Sequence, residues 1–185
     1  NPTLSAGEWT FNGTTQGFKI ADDVDVNATL NTFDYQIHSV GTFLASGFDR
    51  IITSTNVINA GGNSLNNTMY NLDDGTYNIN KKDASNNIFN FPTAINIVVG
   101  TEYLISVRYH DTAGRKIDVY VDDGTTVQSE LNIDASVLAG GFNESVLYVG
   151  MRTLTSSTYY NIAFKSIVLA SGSDNFDSIK TALAI

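Results

Sequence analysis

Several polar and aromatic side chains stand where they could bind a sugar. Sugar rings stack on aromatic faces and their hydroxyl groups hydrogen-bond to polar side chains, so a binding surface needs both kinds of residue. Tyr159 and Tyr160 follow a stretch rich in Thr and Ser, which predicts an aromatic pair on a loop. Each tyrosine could equally serve in packing between strands. Other candidates lie on the faces of predicted strands that point away from the core. The complete set of candidate ligand-binding residues is Gln36, His38, Arg108, His110, Tyr120, Tyr159 and Tyr160.

Groups suited to catalysis are scarce in the sequence. A glycosidase needs two carboxyl groups about 5–10 Å apart, but the four glutamates are isolated from one another. No Gly-x-Ser-x-Gly turn marks a nucleophilic serine. Gln36-Ile37-His38 resembles a strand motif of alginate-lyase-like enzymes, in which His38 would be the base, but their Arg-x-Glu-x-Arg strand is missing. We therefore predict no catalytic residues and a protein that is not an enzyme, with polysaccharide lyase as an alternative.

Aspartates are clustered at three places in the chain. Calcium takes six to eight oxygen ligands, which clustered carboxylates on turns can supply. Asp22, Asp23 and Asp25 are the best candidates, and we predict that they contribute to a calcium site. The alternative is that aspartate forms turns here, as in Asp74-Gly75 and Asp123-Gly124.

The composition excludes several classes of protein. The chain of 185 residues has 10 Lys and Arg against 19 Asp and Glu, a net charge of −9 that disfavours nucleic-acid binding. No apolar run is long enough for a membrane span, so we expect no membrane insertion. The absence of Cys excludes disulfides and zinc sites with Cys ligands. Together with abundant Asn, Thr and Ser, it favours an extracellular or virion-surface location.

The apolar residues alternate with polar ones with a period of two. The clearest stretches are 33–40, 103–110 and 116–122, and each predicts a half-buried antiparallel strand. Weaker stretches at 9–11, 18–20, 50–53, 68–72, 77–80, 127–132, 146–151 and 160–169 predict further strands, separated by turns such as Asp123-Gly124. The segment Asp174–Leu183 predicts the only helix, with Ser173 or Asp174 as its cap. We expect one domain, 1–185, with an all-β, two-sheet antiparallel jelly-roll sandwich and a short C-terminal helix.

Four segments in order resemble concanavalin A-like domains, in particular laminin G-like ones. The segment Tyr103–Gly124 resembles their central hairpin, in which a polar turn leads into a Tyr-Val-Asp-Gly strand end. Trp9–Gly13 with Gly17–Ile20 is similar to their opening strands, Leu147–Gly150 to a Leu-x-Ile-Gly strand, and Ala163–Leu169 to the closing strand. The resemblance implies a carbohydrate-binding or adhesion module, often assisted by calcium.

The sequence as a whole predicts a non-catalytic, lectin-like module that binds glycan or surface polysaccharide. The main alternative is a structural module of a phage fibre, capsid decoration or surface layer, in which the sandwich contacts other protein subunits. Its polar, Cys-free composition suits both settings.

Overall fold

The computed structural model describes residues 3–21, 28–45, 52–55, 69–73, 75–83, 87–138, 146–149, 161–172 and 174–185. This part of the chain contains thirteen strands and a C-terminal helix of seven residues. The strands are β1 (Thr3–Ser5), β2 (Glu8–Thr10), β3 (Phe18–Ala21), β4 (Tyr35–Phe43), β5 (Ile52–Thr55), β6 (Met69–Asp73), β7 (Thr76–Lys82), β8 (Ile88–Asn96), β9 (Glu102–His110), β10 (Lys116–Asp122), β11 (Val127–Asp134), β12 (Val146–Val149) and β13 (Ile162–Ser171), and the helix is α1 (Phe176–Ala182). The all-β prediction is confirmed.

The strands form two antiparallel layers. One layer is a seven-stranded sheet in the order β1-β2-β13-β4-β9-β10-β11. The other contains two three-stranded sheets, β3-β12-β5 and β6-β7-β8, and strands β5 and β6 contact each other. Inward residues of both layers share one core, so the protein is a β-sandwich with a short C-terminal helix.

Alternation along the strands produces this core. In β4 the side chains of Tyr35 and Ile37 are buried in the core between the layers, and in β9 those of Val107 and Tyr109 are too. The rings of Tyr35 and Tyr109 stack with their centroids 4.5 Å apart. Their even-numbered neighbours therefore point to the outer face of the seven-stranded sheet.

Strand β13 contains a bulge that reverses its alternation. The register against β4 shifts between Phe164 and Ser166. Before the bulge the even-numbered Ile162 and Phe164 belong to the core, and after it the odd-numbered Ile167 and Leu169 pack against the core. One extra residue in the strand thus allows apolar residues on both sides of the bulge to face inward.

Two strands and the helix cap differ from the expectations from sequence. Strand β8 was not predicted, because Pro92 and the asparagines around it are typical of a link; Pro92 is tolerated because β8 is an edge strand. The short β1 was also missed. The helix is shorter than predicted, and its N-cap residue is Asn175, whose side chain makes no capping hydrogen bond. Ser173 lies outside the described residues.

Candidate functional site

Helix α1 lies across the outer face of the seven-stranded sheet, where it contacts β4 and β9. The ring of Phe176, which is 4% exposed, lies 5.3 Å from the ring of His38, centroid to centroid. The guanidinium carbon of Arg108 lies 4.9 Å from the centroid of the Phe176 ring. The helix therefore covers the part of the face where the sequence predicted a ligand surface.

Beneath the helix, three buried polar side chains form a hydrogen-bonded chain. Gln36, His38 and Ser106 are all 1% exposed or less. The His38 Nε2 atom is 2.8 Å from the amide oxygen of Gln36, which can only accept, so Nε2 carries the proton. His38 Nδ1 then accepts from the Ser106 hydroxyl at 2.8 Å, and the Gln36 amide nitrogen donates to the Gly172 carbonyl at 2.9 Å. The chain satisfies each of these polar groups without water.

His38 is neutral in this environment. Burial, and after it the positive charge of Lys180, lowers the pKa of His38 from 6.5 to about 4. Because both ring nitrogens are engaged and the side chain is buried, His38 is not placed to take a proton from a substrate. The polysaccharide-lyase alternative therefore has no accessible base at this position.

A second polar network surrounds Asp118 on the same face. The carboxylate accepts hydrogen bonds from Arg108, through Nε at 2.9 Å and through Nη2, and from the backbone N–H of Asn132 at 2.6 Å. His110 Nε2 lies 3.2 Å from Asp118 Oδ2. Burial alone would raise the pKa of Asp118, but the Asn132 N–H and the Arg108 guanidinium together lower it below its ordinary value. Asp118 is thus an ionised, buried centre that organises both Arg108 and the bulged backbone of β11.

Tyr120 lies at the far side of the helix and is half-buried. Its hydroxyl donates to Asp122 Oδ2 at 3.1 Å, and Lys180 Nζ lies 4.1 Å from its ring centroid. The structure therefore brings five of the predicted residues to one face: Gln36, His38, Arg108, His110 and Tyr120. Three of them, His38, Arg108 and Tyr120, contact side chains of α1. Tyr159 and Tyr160 lie outside the described residues, so their role stays a prediction.

A groove lies beside the start of β4 and the end of β13. Its volume is about 820 Å³. We call it the β4–β13 groove; it is lined by Ala28, Thr29, Thr32, Asp34 and the segment 169–172. This is within the size range of small-molecule sites.

Backbone hydrogen bonds fix the walls of the groove. The Thr32 N–H and hydroxyl both donate to the Thr29 carbonyl, at 3.2 and 2.8 Å, which closes a turn. The Gly172 N–H donates to the Asp34 carbonyl at 2.9 Å, while its own carbonyl accepts from Gln36. Gly172 has φ +74°, a conformation that favours glycine. The groove is therefore held by the same buried chain that contains His38.

Several side chains of the groove have hydrogen-bonding capacity to spare. Within the described residues, the carboxylate of Asp34 and the hydroxyls of Thr29 and Ser171 make no hydrogen bond, and Asp34 and Ser171 are exposed. Leu169 and Ala170 supply an apolar wall beside them. This site was not predicted, because nothing in the sequence indicates that β13 pairs with β4.

The structure does not bear on the predicted calcium ligands. Asp22, Asp23 and Asp25 lie outside the described residues. Within the described ranges, no three His, Asp or Glu side chains are grouped closely enough to hold a metal ion. We therefore assign no metal to any described site. The described residues also include no helix with the length and hydrophobicity needed to cross a membrane.

Solved structures with this fold include parts of larger proteins. No family model and no curated protein sequence matches the chain. A Trypanosoma rangeli sialidase in complex with sialic acid is similar over 100% of this chain, with a TM-score of 0.69 and 18% identity. The botulinum neurotoxin serotype G binding domain is similar over 95%, with a TM-score of 0.62 and 10% identity. A heptameric SAP-like pentraxin from Limulus polyphemus is similar over 100%, with a TM-score of 0.50 and 10% identity.

These similarities correct one expectation. The chain spans only 28% of the sialidase chain and 42% of the toxin domain chain. Since this fold occurs within the chain of an enzyme, the prediction that the protein is not an enzyme, made from its lack of paired catalytic groups, is wrong. At these identities the similarities show the β-sandwich fold and no particular family.

Proposed function

We propose that this chain is a glycan-binding β-sandwich of the concanavalin A-like, laminin G-like kind, displayed outside a cell or on a virion. The observation that carries the proposal is the β4–β13 groove, in which unengaged hydrogen-bonding groups stand beside an apolar wall. The structure of the sialidase in complex with sialic acid supports the proposal, because the same fold there forms part of a protein that binds a sugar.

The chemistry of the groove suits a sugar ring. The Asp34 carboxylate can accept hydrogen bonds from two neighbouring hydroxyl groups, and the hydroxyls of Thr29 and Ser171 can donate or accept. Leu169 offers an apolar surface to the C–H face of the ring. The outer face under α1 is a weaker candidate, because Phe176 already occupies it.

A glycan array with a groove-blocking variant tests the proposal. Ser171 and Ser129 are both exposed serines on strands of the seven-stranded sheet, but only Ser171 lines the groove. Ser171→Trp should abolish glycan binding, and the matched control Ser129→Trp should retain it. A wild-type protein that binds no glycan, or binding that survives Ser171→Trp, would contradict the proposal.

Calcium at Asp22, Asp23 and Asp25 is proposed as an aid to this binding, on the strength of the sequence cluster alone. The same array run with and without EDTA tests it. Loss of binding on chelation, restored by added calcium, is the expected result; binding that is indifferent to EDTA would remove calcium from the proposal.

A second candidate function is a protein-contact module of a larger assembly. It is favoured by two large apolar side chains on the edge strand β11, Val127 and Leu131, which are 55% and 61% exposed. Light scattering should then show a stable oligomer that Leu131→Lys dissociates. A monomer at all concentrations would count against this candidate.

A further inference from the structure

We propose that the β4–β13 groove selects uncharged saccharides and rejects anionic ones, sialic acid included. This inference rests on the proposed glycan-binding function and names the ligand class of the same site. It runs against the ligand named for the sialidase structure, so it cannot be read from that similarity.

The charge of the groove itself disfavours an anionic ligand. Among the described residues that line it, Asp34 is the only ionisable one, and its exposed carboxylate has no ion-pair or hydrogen-bond partner in the described part of the chain. A sugar carboxylate, sulfate or phosphate entering the groove would meet this negative charge, and the described lining residues include no cation to offset it. Two like charges a few ångströms apart repel even in water.

The described stretches that contribute the lining residues add no positive charge. Residues 28–34 and 166–172 contain one aspartate, Asp34, and no Lys, Arg or His. Asp34 is therefore the one charged residue of both stretches.

Two cations on the outer face, Arg108 and Lys180, are already paired with carboxylates. Arg108 is hydrogen-bonded to Asp118, and Lys180 Nζ lies 2.7 Å from Asp177 Oδ1. Lys180 lowers the pKa of the Asp177 carboxyl, which keeps that pair ionised. Arg108 also contacts Phe176 of α1, and Lys180 of α1 contacts the Tyr120 ring of β10, so both cations are engaged within the protein.

Hydroxyl groups suit the same features. A carboxylate is a strong acceptor of hydroxyl hydrogen bonds, and charge-assisted bonds of this kind are among the stronger ones available to a neutral ligand. Asp34 thus has two effects: it binds neighbouring hydroxyl groups of an uncharged sugar and repels an anionic substituent at the same place.

Matched pairs of glycans provide the test. Each pair consists of an uncharged oligosaccharide and the same oligosaccharide bearing sialic acid or sulfate, measured for binding in low salt and at physiological ionic strength. Wild-type protein should bind the uncharged member at least about tenfold more tightly in low salt, and the ratio should shrink as salt screens the repulsion. Asp34→Asn should bring the ratio close to one, and Asp34→Lys should reverse it. Asp111→Asn, which removes an exposed carboxylate that does not line the groove, should leave the ratio unchanged.

The outcomes separate this inference from the function on which it rests. If anionic members bind equally well or better, and Ser171→Trp abolishes that binding, the groove binds glycan but the inference is wrong. A preference for uncharged sugars that persists in Asp34→Asn also overturns it, because Asp34 is then not the selecting group. If neither member of any pair binds, the proposed function itself fails.

Discussion

The carboxylate of Asp118 is a buried charge on the outer face of the seven-stranded sheet. Its side chain is 2% exposed and accepts from Arg108 and from the backbone N–H of Asn132. In Asp118→Asn the remaining amide oxygen can still accept from Asn132, but the charge-assisted bonds to Arg108 are lost. Breaking a buried ion pair costs about 3–5 kcal/mol. Because the Arg108 side chain is 30% exposed and can be partly rehydrated, we expect the lower end, about 3 kcal/mol.

Urea denaturation of wild type, Asp118→Asn and the exposed-carboxylate control Asp111→Asn measures this cost. In a thermal melt, the same loss of about 3 kcal/mol should lower the melting temperature by about 6–12 °C for a chain of this size. The control should change the free energy of unfolding by less than about 0.5 kcal/mol, since Asp111 is 56% exposed and lies 3.9 Å from its partner Arg115.

The pH dependence gives a second, independent reading. The pKa of Asp118 is lowered from its ordinary value of 3.8 on folding, so its contribution is fully present above that value. It is lost as pH falls through the lower pKa of the folded state. The stability difference between wild type and Asp118→Asn should therefore be constant near neutral pH and shrink in acid below about pH 4. Two results would refute this reasoning. One is a loss of unfolding free energy in Asp118→Asn as small as that of the Asp111→Asn control, and the other is a stability difference between wild type and Asp118→Asn that grows in acid.

Three further outcomes follow from contacts described above. Phe176→Ala should uncover His38 and raise its pKa from about 4 toward 6.5, as followed by NMR titration of the imidazole; an unchanged titration would mean that α1 does not bury this ring. Gly41→Ala should destabilise the fold by about 1–3 kcal/mol in a chemical denaturation curve, because its new Cβ would lie 2.5 Å from the Ala163 carbonyl oxygen. A variant as stable as wild type would show that β4 and β13 can move apart at this point without cost. Gln128→Ala removes two hydrogen bonds that tie β11 to the backbone of β8, so hydrogen exchange of β8 amides should speed up by about tenfold, and unchanged exchange would contradict this link.

The sequence allowed most of the strands to be predicted, because alternation reports which side chains share a face. The stretch 116–122 is β10 to the residue, and 103–110 differs from β9 by one residue. Alternation also placed Gln36 and His38 opposite the core side chains of β4, as the structure has them. What it could not indicate is the element that covers that face, since alternation gives no information on which segment packs against it.

The β4–β13 groove could not be predicted from the sequence for a similar reason. Asp34 and Ser171 are 137 positions apart and meet only because β13 pairs with β4 across the sheet. No local pattern encodes that pairing. Exposed polar residues next to turns are common, so neither segment stood out by composition. The groove depends on the order of the strands in the sheet, whereas periodicity in the sequence reports only local structure.

The bulge in β13 has a consequence for how this protein can change over time. Without it, the apolar residues at 162 and 164 and those at 167 and 169 could not all face the core. The bulge thereby divides the strand into two halves whose sequences can change independently. One half is constrained by the aromatic rings of Phe11 and Phe18, and the other forms the wall of the groove. Substitutions could therefore change the groove wall while the aromatic half of the strand stays the same. Deletion of Lys165, by contrast, would remove the extra residue and leave one regular alternation in which positions 162, 164, 167 and 169 still face the core, so it should straighten the strand without inverting either half.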